Sequence, residues 1–454
     1  MPILSHHSFP RAILHVDGDS FFASCEVAKN PALRGKCVVT GKERGIASSM
    51  SYEAKARGVT RAMRLSEIRK LIPEVIILPS DYETYSLYSQ RMYEIVRRYT
   101  EDIEEYSIDE CFADLTGMRR PNKMSYEQMA MKVKHELDGE LGMTFSVGLS
   151  VNKVMAKVAS KWRKPSGLTI IPGYNMHLYL AKLPVEKVWG IGPQTSAYIQ
   201  KLLGSARVGS ARGRAESVTA LEFATRDPEW VKAHFSKPFQ EIHRELNGSF
   251  VYPLVVGEKH DYASISKTRT FTPPSKDREF VFAQLSKNIE NACIKLRRHG
   301  LFTKRFAFFL KTQEFRYAGL EIKLSQAISV PQEIVRNVRE RFAEVWRDGG
   351  LYRATGIVLM DLSNKNASTM DLFGDSLKVE KVQAVLSAVD AVDAKFGKHT
   401  VFLGSSFRAI KEPAHQDGGF GHNDRGEASE RRKNLLKGEN ARQRLGLPFL
   451  GMVR

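Results

Sequence analysis

The sequence predicts a multidomain protein of mixed α/β and α+β class, and three observations carry that expectation. At 454 residues the chain is long enough for about three domains, each with its own core. In the N-terminal part, short β-branched and apolar runs alternate with helical patterns, whereas from 263 onward a β-α-β-β-α-β order is legible. After about 404 the composition turns to Gly, Lys, Arg, Glu, Asn and His, which predicts a disordered tail over Ser405 to Arg442.

Residues 1–22 and 79–170 read as one α/β unit interrupted by an insertion at 23–78. Its strand-like runs are Ala12 to Val16, Val75 to Leu78, Cys111 to Leu115 and Thr144 to Leu149. Apolar residues at Val151, Val154, Met155, Val158, Ala159 and Trp162 predict a helix, and Pro165 and Gly167 end it. From 171 to 245 the pattern is helical. Within it Trp189-Gly190-Ile191-Gly192-Pro193 reads as the turn of a helix-hairpin-helix, either a plain tight turn or a place where glycine brings backbone N–H groups close to a DNA phosphate. Gly248, Pro253 and Gly257 mark a linker over 246–262. The second module, 263–362, has expected strands Ala263 to Phe271, Arg305 to Lys311, Leu320 to Ser325 and Thr355 to Met360, with helices near 278–299 and 332–347. The remainder, 363–454, is polar apart from two apolar islands, Thr369 to Phe373 and Gln443 to Phe449.

Lys and Arg outnumber Asp and Glu by 69 to 51, a net charge of +18, which favours a polyanionic partner, nucleic acid foremost. An anionic membrane surface is the competing partner, but no apolar run approaches the ~18 residues of a spanning helix. The N-terminal apolar stretch is short and runs into Asp17, so no signal peptide is read there. Cys25, Cys37, Cys111 and Cys293 are scattered, with no CxxC pair or neighbouring His ligand. Reduced thiols, no zinc site and a cytoplasmic location follow. The first half of the second module is one-sidedly basic, with Lys267, Arg269, Lys295, Arg297, Arg298 and Lys311 among its cations. That is either a solvated face or a phosphate-contacting one.

The chemistry centres on Tyr106-Ser107-Ile108-Asp109-Glu110, where two carboxylates follow a short apolar stretch and an earlier strand adds Asp17. Carboxylates at strand ends suit Mg²⁺, which takes few protein oxygens and leaves room for substrate phosphates. An isolated Asp-Glu pair is more often a solvated loop. Here, however, Asp17-Gly18-Asp19-Ser20-Phe21-Phe22-Ala23-Ser24-Cys25-Glu26, with Ser107 to Glu110 and Asp114-Leu115-Thr116-Gly117, resembles the two acidic motifs of the Y-family DNA polymerases. These are the lesion-bypass enzymes, and the likeness is to their bacterial branch. It spans about residues 10 to 373.

The resemblance implies a right-hand polymerase: palm (1–22 and 79–170), fingers (23–78), thumb (171–245), linker (246–262), little finger (263–362), then a clamp-binding segment and basic tail (363–454). It implies template-directed, error-prone addition of deoxynucleotides to a primer 3′-end, for lesion bypass, with two Mg²⁺ ions per active site. Asp17 and Asp109 would bridge both ions, Glu110 would serve the catalytic metal and the Gly18 carbonyl the nucleotide metal. Phe22 matches the steric gate against ribose, although as a residue alone it reads as a core aromatic beside Phe21. Ser49, Tyr52 and Lys55 would reach the triphosphate, and the small Ala47 and Ser48 would roof the nascent base pair. Lys55 stands where the family commonly has Arg, losing a bidentate fork, and Arg64 stands where Pro is usual. Lys164 would neutralise the β- or γ-phosphate, or is simply a surface lysine before a turn. DNA contacts fall to Gly190, Gly192, Lys267, Arg269, Arg297 and Arg298.

Thr369 to Phe373 resembles the sliding-clamp motif Gln-Leu-Ser/Asp-Leu-Phe, with Met370, Leu372 and Phe373 as docking residues. A final packing turn of the little finger is the alternative, and Gln443 to Phe449 is a second candidate for the clamp. The partners implied are primer-template DNA, deoxynucleoside triphosphates and the clamp, around a monomer. Two other readings compete. A non-catalytic DNA-binding, clamp-docking scaffold would be expected to have lost an acidic ligand. A nucleotide cyclase on a similar palm leaves the basic second module unexplained.

Overall fold

The run Ile13-Leu14-His15-Val16-Asp17-Gly18 forms a strand, β1, buried along its whole length. Alternation then decides what each face meets. Leu14 and Val16 face a core shared with the helices Tyr82–Arg97 and Tyr126–Leu141. Ile13 faces the other way, toward Phe112 and Ala156 of the helix Lys153–Trp162. The computed structural model describes residues 7–204, 217–257, 262–364, 376–396 and 399–411. The chain divides into two units, parted between Gly257 and Glu258.

In the first unit, β1 is the centre of a five-stranded sheet of order β5-β6-β1-β7-β8, where β5 is Ile103–Ser107, β6 Glu110–Asp114, β7 Phe145–Ser150 and β8 Leu168–Ile170. β1 is antiparallel to both neighbours, which sets Asp17 opposite Glu110 on one side and Ser146 on the other. A second, three-stranded sheet of order β3-β2-β4 joins Val38–Thr40 (β2), Ser49–Met50 (β3) and Ile76–Leu78 (β4). β4 was expected in the larger sheet but runs parallel to β2 in this one, because its short apolar run carries no mark of which sheet it joins. Short helices and 3-10 turns from Met176 to Leu246 pack around a separate core containing Ile199, Phe223 and Ile242.

The second unit is a four-stranded sheet, β11-β10-β12-β9, of Ser264–Ser275 (β9), Leu301–Thr312 (β10), Tyr317–Ile328 (β11) and Tyr352–Asn364 (β12). The helices Arg278–Arg298 and Pro331–Val345 cover one face, in the β-α-β-β-α-β order expected. The expected tail is corrected at its start. Ser376–Phe396 is a helix, and Gly404–Ser406 and Phe407–Lys411 are ordered, so Ser405 to Lys411 are not disordered. Ser406 Oγ donates to the buried Glu290 and Leu403 N donates to the same carboxylate at 3.1 Å, a buried polar contact that composition does not reveal. The clamp-motif residues Met370, Leu372 and Phe373, and the segment 443–449, lie outside the described residues. Among the described residues no helix is long and apolar enough to cross a membrane. The four cysteines are free thiols.

Candidate active site

Antiparallel register builds the acidic centre. Asp17 and Glu110 are paired residues on adjacent strands, so their side chains share a face. Asp109, in the turn between β5 and β6, accepts the Gly18 N–H on its carbonyl at 2.8 Å, and its carboxylate is held by the Ser107 hydroxyl at 2.5 Å. Asp17, Asp109 and Glu110 therefore lie at one end of the sheet, the first and last side by side through register and Asp109 through its backbone contact with Gly18.

Asp17 and Glu110 are each matched by a lysine. Lys164 Nζ lies 2.5 Å from Asp17 and 3.7 Å from Asp19. Lys157 Nζ lies 2.8 Å from Glu110, whose other contact is His15 Nε2 at 3.0 Å. Burial pushes Asp17 above the ordinary carboxylate value against the pull of Lys164. Burial would raise Glu110 too, but His15 and Lys157 outweigh it and hold the carboxyl at about 2. His15 is fully buried, and that burial keeps it below its ordinary value. Its Nε2 pairs with Glu110 at 3.0 Å and its Nδ1 with Ser160 Oγ at 2.7 Å, a hydroxyl that also donates to the Lys157 carbonyl at 3.1 Å.

The finger residues converge on the stretch that follows Asp17. Ser49 Oγ donates to the Ser20 carbonyl at 3.1 Å, Tyr52 Oη to Asp19 at 3.4 Å and Lys55 Nζ to Ser20 Oγ at 2.7 Å. Lys55 also lies 4.2 Å from the Tyr52 ring centre. Burial and the like charge of Lys164 lower the Lys55 ammonium, while burial beside Asp19 and Asp17 raises the Tyr52 phenol. Phe22 is half-buried, its ring stacked on Tyr85 at 4.5 Å and met edge-on by Tyr82 at 5.4 Å. Of the pair expected to roof a base pair, Ala47 is 2 % exposed and belongs to the finger core, and Ser48 is half-exposed.

Four contributors were not singled out from sequence. Asp19 is buried and accepts from Ser146 Oγ at 2.8 Å and Ser166 N at 2.7 Å, so it ties the finger residues to Lys164's loop. His15, Lys153 and Lys157 complete the charge balance, Lys153 pairing with the buried Glu104 at 2.6 Å. The signal was present. Lys153, Lys157 and Lys161 recur every fourth residue on one helix, interleaved with the apolar stripe that faces an acidic sheet.

The expected DNA-contact residues are dispersed. Gly190 adopts φ +90°, a turn conformation that favours glycine, and a Cβ there would meet only the movable tip of Ile242 at 2.6 Å. Gly192 precedes the helix Pro193–Gly204, whose partner across the turn is a 3-10 turn, Val185–Lys187. Lys267 and Arg298 line one hollow with Asn291, Lys295 and His299, and burial beside Lys295 and Arg298 lowers Lys267. Arg269 is exposed on β9. Arg297 is committed elsewhere, donating to both Asp390 oxygens at 2.7 and 2.6 Å.

Among the described residues, no group of three His, Cys, Asp or Glu side chains is gathered closely enough to hold a metal as it stands. The donor chemistry still fits a hard divalent cation, since Asp17, Asp109, Glu110 and the Gly18 carbonyl offer only oxygen. The cations now meeting Asp17 and Glu110 are lysines.

Residues 16–161 match the sequence profile of the impB/mucB/samB family, and residues 263–372 that of its C-terminal domain. The chain is 32 % identical over 369 residues to DNA polymerase IV of Lactococcus lactis subsp. cremoris, covering 80 % of this chain and 97 % of that one. It is 28 % identical over 406 residues to DNA polymerase IV 1 of Bacillus subtilis, covering 88 % and 94 %. Among solved structures it is similar to a Y-family DNA polymerase chimera, Dbh-Dpo4(243-245)-Dbh, with TM-score 0.64 and 22 % identity over 78 % of this chain and all of the other, a likeness of fold. The chain belongs to the impB/mucB/samB family, the Y-family DNA polymerases, and is a DNA-directed DNA polymerase of the bacterial DNA polymerase IV-like branch.

Proposed function

We propose that this polymerase extends a primer 3′-end on a DNA template by two-metal phosphoryl transfer, with the loose selectivity that lesion bypass needs. The observation that supports this reading is convergence: Asp17 and Glu110 are register partners with the Asp109 backbone beside them, and Ser49, Tyr52, Lys55 and Lys164 all reach the segment Asp17 to Ser20. The carboxylates and the Gly18 carbonyl would hold two Mg²⁺ ions, which when bound neutralise the triphosphate and stabilise the attacking and leaving oxygens. The protein's remaining task is positioning. Lys164 would exchange Asp17 for a β- or γ-phosphate, Lys55 would add a point charge, and the hydroxyls of Ser49 and Tyr52 would donate to phosphate oxygens. The Phe22 ring, backed by Tyr85, would stand under the sugar and exclude a 2′-hydroxyl. Lys267 and Arg298, with the Gly190 to Gly192 turn, would contact DNA phosphates. Met370, Leu372 and Phe373 would dock on a sliding clamp.

The test is single-nucleotide primer extension with Mg²⁺, running Asp109→Ala beside the parent. Extension by the parent alone, with primer-template binding kept in the variant, is expected. Retained extension in Asp109→Ala would remove that residue from the metal site, and binding without extension by either protein would favour the scaffold reading. Deleting Met370 to Phe373 should remove clamp-stimulated synthesis and spare distributive synthesis.

A further inference from the structure

His15 sits two residues before Asp17 on β1 and so shares its face. It is buried completely, and a buried imidazole is costly unless its nitrogens find partners. Both do. Nε2 pairs with Glu110 Oε2 at 3.0 Å and Nδ1 with Ser160 Oγ at 2.7 Å. Ser160 is itself anchored, donating to the Lys157 carbonyl three residues back on its own helix. One side of the ring meets Phe112, 4.5 Å away between ring centres, and Phe112 is the register partner of His15 on β6. An imidazole tied at both nitrogens and packed against a neighbouring strand has one position open to it.

Glu110 needs such a partner. Strand register fixes where its side chain starts, not where its carboxylate ends, because several rotatable bonds lie between. The contacts it receives are uneven. Oε2 takes His15 Nε2 at 3.0 Å and Lys157 Nζ at 2.8 Å, whereas Oε1 takes Lys157 Nζ alone, at 3.0 Å. Each carboxylate oxygen has two lone pairs, so Oε2 is filled and Oε1 keeps one. Lys157 brings charge on a flexible stem, while the imidazole brings a fixed direction.

We propose that His15, braced by Ser160, is a positioning residue for the polymerase reaction: it holds Oε2 of Glu110 and so leaves Oε1 oriented and free for a divalent cation. The inference rests on the reading of Glu110 as a metal ligand. A carboxylate ordered before the ion arrives binds it more tightly than one that must be ordered on binding.

Mn²⁺ binding reads this without turnover, through the electron paramagnetic resonance signal of the free ion, on the full chain with primer-template and a non-hydrolysable α,β-imido deoxynucleotide. His15→Phe keeps a ring against Phe112 and removes both polar contacts. It should loosen Mn²⁺ binding about tenfold and leave primer-template affinity unchanged. His15→Gln, which keeps an N–H near the place of Nε2, should recover most of that loss, and Ser160→Ala, which unbraces the ring, should loosen Mn²⁺ about threefold. The Mg²⁺ concentration for half-maximal incorporation should rise in parallel. Glu110→Ala is the control. Unchanged Mn²⁺ binding in Glu110→Ala would remove Glu110 from the metal site, whereas loosened binding there with parental binding in His15→Phe and Ser160→Ala would overturn the positioning role alone. A lowered melting temperature in His15→Phe with Mn²⁺ affinity intact would make His15 a packing residue.

Discussion

At the residue scale, the acidic centre is a balance between burial and paired charge. The Glu110 carboxyl is held at about 2 against an ordinary 4.5. A carboxyl depressed on folding contributes stability above its unfolded value that is lost as pH falls through its folded value. Lys157→Met removes one of the partners responsible, so the gap in melting temperature between parent and variant should be full near neutrality and shrink between about pH 4.5 and pH 2. A gap independent of pH would mean that Lys157, 4.5 Å from the Tyr106 ring centre and 4.9 Å from that of Trp189, acts by packing. Phe22→Ala should relax the discrimination between deoxy- and ribonucleotides, read from their incorporation rates, while Tyr85→Leu, by unseating the ring, should do so less. The strand-end placement of Asp17 and Glu110, and of Asp109 beside Gly18, was legible because each sits in a short contiguous motif. Contacts were not legible where the partner arrives from across the fold: nothing near His15 in sequence indicates Ser160 or Glu110.

At the element scale, the helix Lys153–Trp162 was anticipated from its apolar spacing, yet two lysines on it, Lys153 and Lys157, are buried as well. Their burial is permitted by Glu104 and Glu110 on the facing sheet. The helix comes close enough because β7 has glycine at 148, where a Cβ would lie 2.2 Å from Ala156 O and from Ser160 N. Both obstacles are backbone, so no rotamer change relieves them. Gly148→Ala should cost about 3 kcal/mol in urea unfolding and slow nucleotide incorporation by lifting Lys157 from Glu110. Normal activity in that variant would mean the helix tolerates displacement. Strand β5 escaped notice for a different reason: at the sheet edge it buries Ile103 and Glu104 and exposes Glu105 and Tyr106, so the apolar alternation that marks inner strands is missing.

On the scale of the whole molecule, the boundary between the two units falls within the linker expected at 246–262, and the order of elements in the second unit was readable because long periodic helices and amphipathic strands dominate it. The C-terminal helices were not, since their attachment is polar. Arg297 grips Asp390, Arg408 pairs with Asp277 at 2.8 Å, and Lys287 donates to the Ala409 carbonyl at 3.1 Å. Asp390→Asn should destabilise the second unit by on the order of 2 kcal/mol, measurable as an earlier thermal transition.

The same attachment bears on how relatives can be recombined. The family's C-terminal domain match stops at 372, but Ser286 and Glu290, on the helix at its heart, are roofed by Ser405 and Ser406. A graft of 263–372 into another polymerase would carry the donor's buried serine and glutamate without their lid. The exchangeable cassette of this chain runs on through Lys411, and a swap at the homology boundary would leave an uncovered carboxylate for the recipient to hydrate.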